Sequence, residues 1–415
     1  MARSTLEVGS PGINVDHPGT SAPGCRAVAI TFEEFTAQLN GSIFWKEFTF
    51  SQNQFSPRPG QELELADSFV WLGETAFVIQ MKERAKPTDD PGVEGRWFKD
   101  AVRRKAVSQV KDSVRFLKEH ETISIANGRG QRYDVRGSDL RHIEKVVLYA
   151  AGPSLPDECR RIQYHDSETA GFIHIFERSD YSLVVKMLAV PDEVRRYLQY
   201  REKALVELRA IKTAVVESDI LAAYMSDENI PTPSSHKHLD RLVDDADHVD
   251  LSVIMNRLAD HIQNPDHSGD YARILLEFAK LPRSAWRAAR ERLDLSIGAA
   301  KNEHFEKPYR FYFPETDCSF MFAPFPPGKP TTGQEGEQAR TIGLQNLTAA
   351  AKYLSKARRG IGVVVSKDGE FLHLDWCLID EPWMHDPEFD AHLASNSPFR
   401  DIREKRMNGY YFVNG

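Results

Sequence analysis

The sequence predicts a two-part α/β protein, with mixed α+β sheets, whose first 150 residues form a compact unit of the order helix, three strands, helix, strand. Three observations predict it. Glu62–Leu72 and Thr75–Arg84 are apolar-rich runs joined at Gly73-Glu74, which reads as a hairpin. Arg96–Lys118 carries apolar residues every three or four positions, the period of a helix. Ile143–Ala150 is a further apolar run closed by Gly152-Pro153, the expected fourth core strand.

Each element has a local cause. Residues 1–25 are rich in Gly, Pro and Ser and read as a flexible tail, with order expected to begin near Ala27. Thr31 is the expected N-cap of a first helix, with Glu33 and Glu34 where the helix dipole favours anions. Phe32, Phe35 and Leu39 form its apolar stripe, and Asn40-Gly41 is its expected stop. Ile43–Phe50 is aromatic-rich and reads as a strand. On the long helix the stripe is Phe98, Val102, Ala106, Val110, Val114 and Leu117, and the other faces are basic. Asn127-Gly128-Arg129-Gly130 reads as the tip of a small inserted hairpin.

A second α+β region is expected over residues 160–415. Gly171–Phe176 and Tyr181–Leu188 read as strands, and Pro191 as the start of a helix. Residues 231–250 read as a polar, acidic loop. Helices are expected around Leu251–Ile262, Tyr271–Phe278 and Ile342–Leu354, with a Pro-rich loop at 324–340 before the last. Ile361–Val365 and Phe371–Leu374 flank Asp368-Gly369 as a hairpin.

Composition narrows the classes. A chain of 415 residues exceeds one ordinary core. A net charge of −8 excludes coating nucleic acid by overall field, so any such contact needs a local basic face. Cys25, Cys159, Cys318 and Cys377 form no CxxC pair, which argues against a zinc ribbon or a disulfide framework. No apolar run approaches the roughly 20 residues that span a bilayer, and no apolar segment follows Arg3. The expectation is a cytoplasmic protein with no membrane partner.

The chemistry concentrates around the first hairpin. Strand side chains alternate faces, so Asp67 is expected to share an apolar face with Leu63, Leu65, Phe69 and Trp71. A carboxylate there is costly unless it is paired or binds a cation. On the next strand Gln80 and Lys82 share one face while Phe77, Ile79 and Met81 take the other. Two paired strands thus aim an acid, an amide and an amine at one point. That set suits phosphodiester hydrolysis with Mg²⁺ or Mn²⁺, a hard cation wanting oxygen ligands. Asp67 and Gln80 are the expected metal ligands, Lys82 the group that assists the attacking water, and Glu64 and Glu34 candidates for a second carboxylate.

This arrangement resembles the PD-(D/E)XK nuclease superfamily over roughly residues 26–152. Asp67 matches the metal-binding acid, Gln80 the variable acid position and Lys82 the lysine, while Ala66 stands where the motif has proline. The resemblance implies a restriction-endonuclease-like αβββαβ fold, cleavage of DNA as endonuclease or exonuclease, and a defence or restriction setting. It also implies that Lys105 and Gln109 face the site from the following helix.

Simpler readings stand beside these. Asp67 alternatively caps a loop or pairs with a buried base, and Lys82-Glu83-Arg84 is alternatively a solvated strand end. The basic residues Arg103, Arg104, Lys105 and Lys111 either track a phosphate backbone or are only an outer face. His236, His238, Asp240, Asp244, Asp245, Asp247 and His248 read as a solvated loop rather than a metal cluster. His373 and Asp375 read as a structural pair, and Cys377 has no base to make it a nucleophile. No GxSxG elbow, Walker loop or dinucleotide fingerprint occurs. Two functions remain: a metal-dependent nuclease, or a nuclease fold that only binds nucleic acid or scaffolds, the reading Gln80 favours. DNA is the expected partner, with the C-terminal region the place for a homodimer or protein contact.

Overall fold

The computed structural model describes residues 2–7, 30–51, 53–58, 60–233 and 271–400, with isolated positions at 235, 239, 251, 254, 255 and 258. The chain divides into two compact units, one built mainly from residues 32–256 and 275–290, the other from 1–31, 257–274 and 291–404. Both combine helices with a mixed sheet.

In the larger unit, α1 (Phe32–Ile43) is followed by β2 (Thr49–Phe50), the small pair β3 (Gln54–Arg58) and β4 (Gln61–Glu64), then β5 (Ser68–Leu72) and β6 (Thr75–Glu83). α2 (Pro91–Trp97), a π-helical stretch (Phe98–Ala106) and α3 (Val107–Glu119) lead to the hairpin β7 (Ile123–Ala126) and β8 (Arg132–Val135), then to β9 (His142–Ala150). After the short α4 (Asp157–Arg160) come β10 (Tyr164–Ser167), β11 (Gly171–Glu177), α5 (Arg178–Leu188), α6 (Pro191–Ala210) and α7 (Glu217–Met225). The sheet order is β10-β11-β9-β6-β5-β2. β2, β5 and β6 run antiparallel in sequence, and β6 reaches the parallel β9 through the long helix. Within this sheet alone the order is helix, three strands, helix and strand; the pairs β3–β4 and β7–β8 form small sheets of their own.

The β5–β6 hairpin closes with Leu72 opposite Thr75, and Gly73 takes the positive φ of 62° its turn requires. The apolar stripe of the long helix is buried throughout, and the helix is wider than expected in its middle. Its residues from Phe98 to Val114 step by four. A pure α-helix at 3.6 residues per turn would rotate that stripe off the sheet, whereas the π stretch underwinds and holds it in place. The stripe members Phe98, Val102, Ala106 and Val110 form one core with Val147, Tyr149, Ile173 and Ile175, while Leu117 joins a second with Phe50, Phe69 and Val78.

Several expectations are corrected. The boundary placed at 152–160 does not end the sheet, because β11 pairs in parallel with β9 and β10 adds beyond it. Tyr181–Leu188 is a helix rather than a strand: Tyr181, Val184, Val185 and Leu188 are buried at helical spacing, and Ala189 ends it at a left-handed φ of 57°. Asn40-Gly41 does not stop α1. The buried Asn40 side chain is engaged instead by the Tyr181 hydroxyl, which donates to its Oδ1 at 2.8 Å, and by Ser68 Oγ. Only Thr49–Phe50 of the expected Ile43–Phe50 strand pairs, since Trp45 turns the chain at a φ of 61° and packs its ring 5.7 Å from Trp286. The single strand expected over Glu62–Leu72 is broken at 65–67.

The other unit holds a five-stranded sheet, β1 (Ala2–Glu7), β15 (Phe371–Asp380), β14 (Arg359–Asp368), β13 (Cys318–Pro324) and β12 (Tyr309–Phe313), in that order. Residues 2–7 therefore leave the expected tail and form the edge strand, Ala2 opposite Trp376; residues 8–25 lie outside the described residues. The expected Asp368-Gly369 hairpin is present and its strands run longer than read. β13 and β14 are parallel, joined by the helix Gly333–Leu354, which starts inside the expected Pro-rich loop. Among the described residues, no helix is long and apolar enough to cross a membrane.

Candidate functional site

The loop before β5 is fixed from below. The Leu65 N–H donates to the Asn53 carbonyl at 3.1 Å, and the Ala66 N–H donates to Asn53 Oδ1 at 3.0 Å. Asn53 is fully buried, so the bend over residues 65–67 is held in place where the chain leaves the ladder. β5 pairs with β6 from Ser68 opposite Ile79 onward.

Asp67 and Lys82 are brought together, while the Gln80 side chain is engaged by α3. The Met81 N–H donates to Asp67 Oδ2 at 2.5 Å, and Lys82 Nζ lies 3.7 Å from the same oxygen. Both side chains are mostly shielded but open to solvent, at 16% and 14% exposure. Lys82 Nζ also donates to the Met81 carbonyl at 2.7 Å, which limits its swing. Gln80 is buried and faces α3, where its Nε2 donates to Ser113 Oγ at 3.4 Å. Its Oε1 is buried and has no hydrogen-bond partner.

Glu64 joins this cluster from the end of β4. Its carboxyl is pushed up by burial and by the charges of Asp67 and Glu33, and pulled down by Lys82. Glu33 of α1 is a further carboxylate whose charge reaches Glu64; Glu33 and Glu34 both lie exposed on α1. Gln109 is half-buried on α3, and its Oε1 is a second buried oxygen without a partner. Lys105 is exposed. Ser113 escaped the sequence reading, though its spacing of four from Gln109 placed it on the same helical side.

The basic residues divide. Arg104 is exposed and pairs with Asp100 at 3.4 Å, a solvated i,i+4 pair worth a few tenths of a kcal/mol at most. Arg103 lines a separate cleft at the β10 edge, and the charges of Lys111 and Arg103 both bear on His165 there. In the smaller unit His373 and Asp375 do not pair with each other: His373 Nε2 lies 3.5 Å from Asp368 and Asp375 receives a 2.8 Å bond from Arg340 Nε. Burial pushes the Cys377 thiol up, against a nucleophilic role. The seven His and Asp residues between 236 and 248 lie outside the described residues.

Oxygen donors and one amine form the site. Among the described residues, no three His, Cys, Asp or Glu side chains stand close enough to hold a metal ion. The oxygen donors in this region are the Asp67 carboxylate, the buried Gln80 Oε1, unsatisfied among the described residues, and Glu64, whose carboxyl burial and then the Asp67 charge push up. Compared with protein-family models, curated proteins and solved structures, the chain matches none.

Proposed function

We propose that the larger unit is a restriction-endonuclease-like nuclease that hydrolyses phosphodiesters in DNA with Mg²⁺ or Mn²⁺. The observation that carries this reading is the approach of Lys82 to Asp67 at 3.7 Å, with Gln80, two residues before Lys82 on the same strand, keeping a buried Oε1 unsatisfied among the described residues. Buried polar atoms are satisfied as a rule, and an exception calls for a ligand or a cost of about 1–3 kcal/mol. Asp67, Gln80 and Glu64 would hold the metal ion. Bound there, it would supply a Lewis acid for the phosphate and a more acidic water. Lys82 orients that water or stabilises charge on the reacting phosphate oxygens. Asp67, tied to the Met81 N–H, keeps a fixed position through the reaction. Lys105 and Gln109 contact the substrate from the helix side, and Arg104 and Lys111 add phosphate contacts along it.

A second reading has its own support. The absence of a three-carboxylate or histidine cluster among the described residues favours a nuclease fold that binds nucleic acid without cutting it. The two separate on incubation of plasmid and linear DNA with Mg²⁺ or Mn²⁺. Cleavage that vanishes in both Asp67→Ala and Lys82→Ala supports the enzyme. DNA retention without cleavage under either metal supports the binding module.

A further inference from the structure

Away from the Asp67 cluster, a cleft of about 660 Å³ opens at the β10 edge of the sheet. The wall from the π-helical stretch carries Arg103, the loop before β10 carries Arg161, and the end of α6 carries Arg209. All three are exposed. Arg209 Nη1 donates to the Tyr164 hydroxyl at 3.2 Å, and the Tyr164 ring stacks on Phe172 with centroids 4.7 Å apart. Leu205 and Leu208 form an apolar floor, and Asp166 is the single acid in the lining.

We propose that this cleft binds a nucleoside phosphate, its phosphate held by Arg103, Arg161 and Arg209 and its base lying along Tyr164 and the leucine floor. Guanidinium groups from three separate elements suit a phosphate, because each offers planar paired donors to its oxygens. The size falls within the range of small-ligand pockets, and an apolar floor with few convergent polar groups is their usual make-up. Asp166 provides the acceptor for a ribose hydroxyl or a base amino group. His165 adds a consistent sign of the local field: burial, then the charges of Lys111 and Arg103, pull its imidazole down, against the opposing charge of Asp166. The inference needs no hydrolysis at Asp67 and stands apart from it. The nucleoside phosphate comes either free or as the phosphorylated end of a nucleic-acid strand.

Calorimetric titration of the full chain in EDTA, where metal-dependent cleavage is silent, tests this. The ligands are AMP, ATP, a 5′-phosphorylated single-stranded tetranucleotide and the same strand without its phosphate. At least one phosphorylated ligand is expected to saturate with micromolar affinity. Arg161→Glu and Arg209→Glu, both at exposed positions, should weaken it at least about tenfold, or about 1.4 kcal/mol. Arg115→Ala, on the same long helix but paired with Asp112, should not. Binding of AMP or ATP alone identifies a free nucleotide; binding of only the phosphorylated strand identifies a strand end. Three results overturn the proposal: no saturation by any ligand, equal loss in Arg115→Ala, or displacement by inorganic phosphate as effective as by the nucleotide.

Discussion

Asp67 Oδ2 receives the Met81 N–H at 2.5 Å and stands 3.7 Å from Lys82 Nζ. One carboxylate oxygen thus serves the backbone and the ammonium group together. The acid is aligned by the backbone of the strand it faces, and the lysine stands against it as counter-charge. If this pair performs hydrolysis, Asp67→Asn and Lys82→Ala should each reduce plasmid cleavage by at least about a hundredfold, the usual loss when a preorganised charged group is removed. A solvated strand end would show no such dependence. Comparable cleavage by either variant under Mg²⁺ and Mn²⁺ would remove the pair from the chemistry.

Gln80 offers a test that separates function from stability. Its Oε1 is buried without a partner, while its Nε2 makes one long bond of 3.4 Å to Ser113. Gln80→Leu discards an unsatisfied acceptor worth about 1–3 kcal/mol against one weak hydrogen bond worth about 1 kcal/mol. The urea midpoint should hold or rise, while metal-dependent activity falls. Gln80→Glu should do the reverse, strengthening Mn²⁺ binding by adding a charge and lowering stability without metal. A Gln80→Leu protein that loses more than about 2 kcal/mol in urea would mark Gln80 as a packing residue with satisfied bonds.

How much of this could be read in the sequence depends on which forces set each feature. The β5–β6 hairpin and the facing of Gln80 and Lys82 follow from local turn chemistry and strand alternation, so they were legible. Asp67 was found for an incomplete reason: it lies outside the strand, positioned by the distant Asn53. Nothing near residue 65 announces that contact. The π stretch was visible only as a four-residue step in the apolar stripe. Tyr181–Leu188 misled because Val184 and Val185 favour strands, while burial at i, i+3 and i+4 decided for a helix. The cleft at β10 was illegible, since Arg103, Arg161 and Arg209 meet only through the folded sheet edge.

The core of the larger unit contains a charged knot whose removal should be severe. Arg201 and Glu217 are both buried, with Arg201 Nε and Nη2 donating to the two Glu217 oxygens at 2.8 Å each. Tyr197 also donates to Glu217, and Arg201 Nη1 reaches His174 Nδ1 at 3.1 Å. Arg201→Ala leaves Glu217 buried without its main counter-charge, which costs about 3–5 kcal/mol. Urea unfolding should show that loss, and Glu217→Gln should recover part of it in the double variant. A double variant no more stable than Arg201→Ala would mean that the lost packing volume, and not the stranded charge, sets the cost.

Asp180 makes the same region sensitive to pH. Its carboxyl is pushed up to about 7, first by burial and then by the charges of Glu217 and Glu177, against the pull of Arg201 and Arg160. In the unfolded chain it returns to 3.8. Between those values the folded protein holds a proton that the unfolded chain has released, so this group's contribution to stability falls as pH rises. The limit for one group is about 1.4 kcal/mol per pH unit, and partial exposure brings it lower. Above about 7 both states are ionised and the loss stops growing. Asp180→Asn cannot acquire the charge, so its advantage over the parent protein in urea should be larger at pH 8 than at pH 5. An equal difference at both pH values would mean that Asp180 ionises in the folded protein as easily as in the unfolded chain, its burial offset by Arg201 and Arg160.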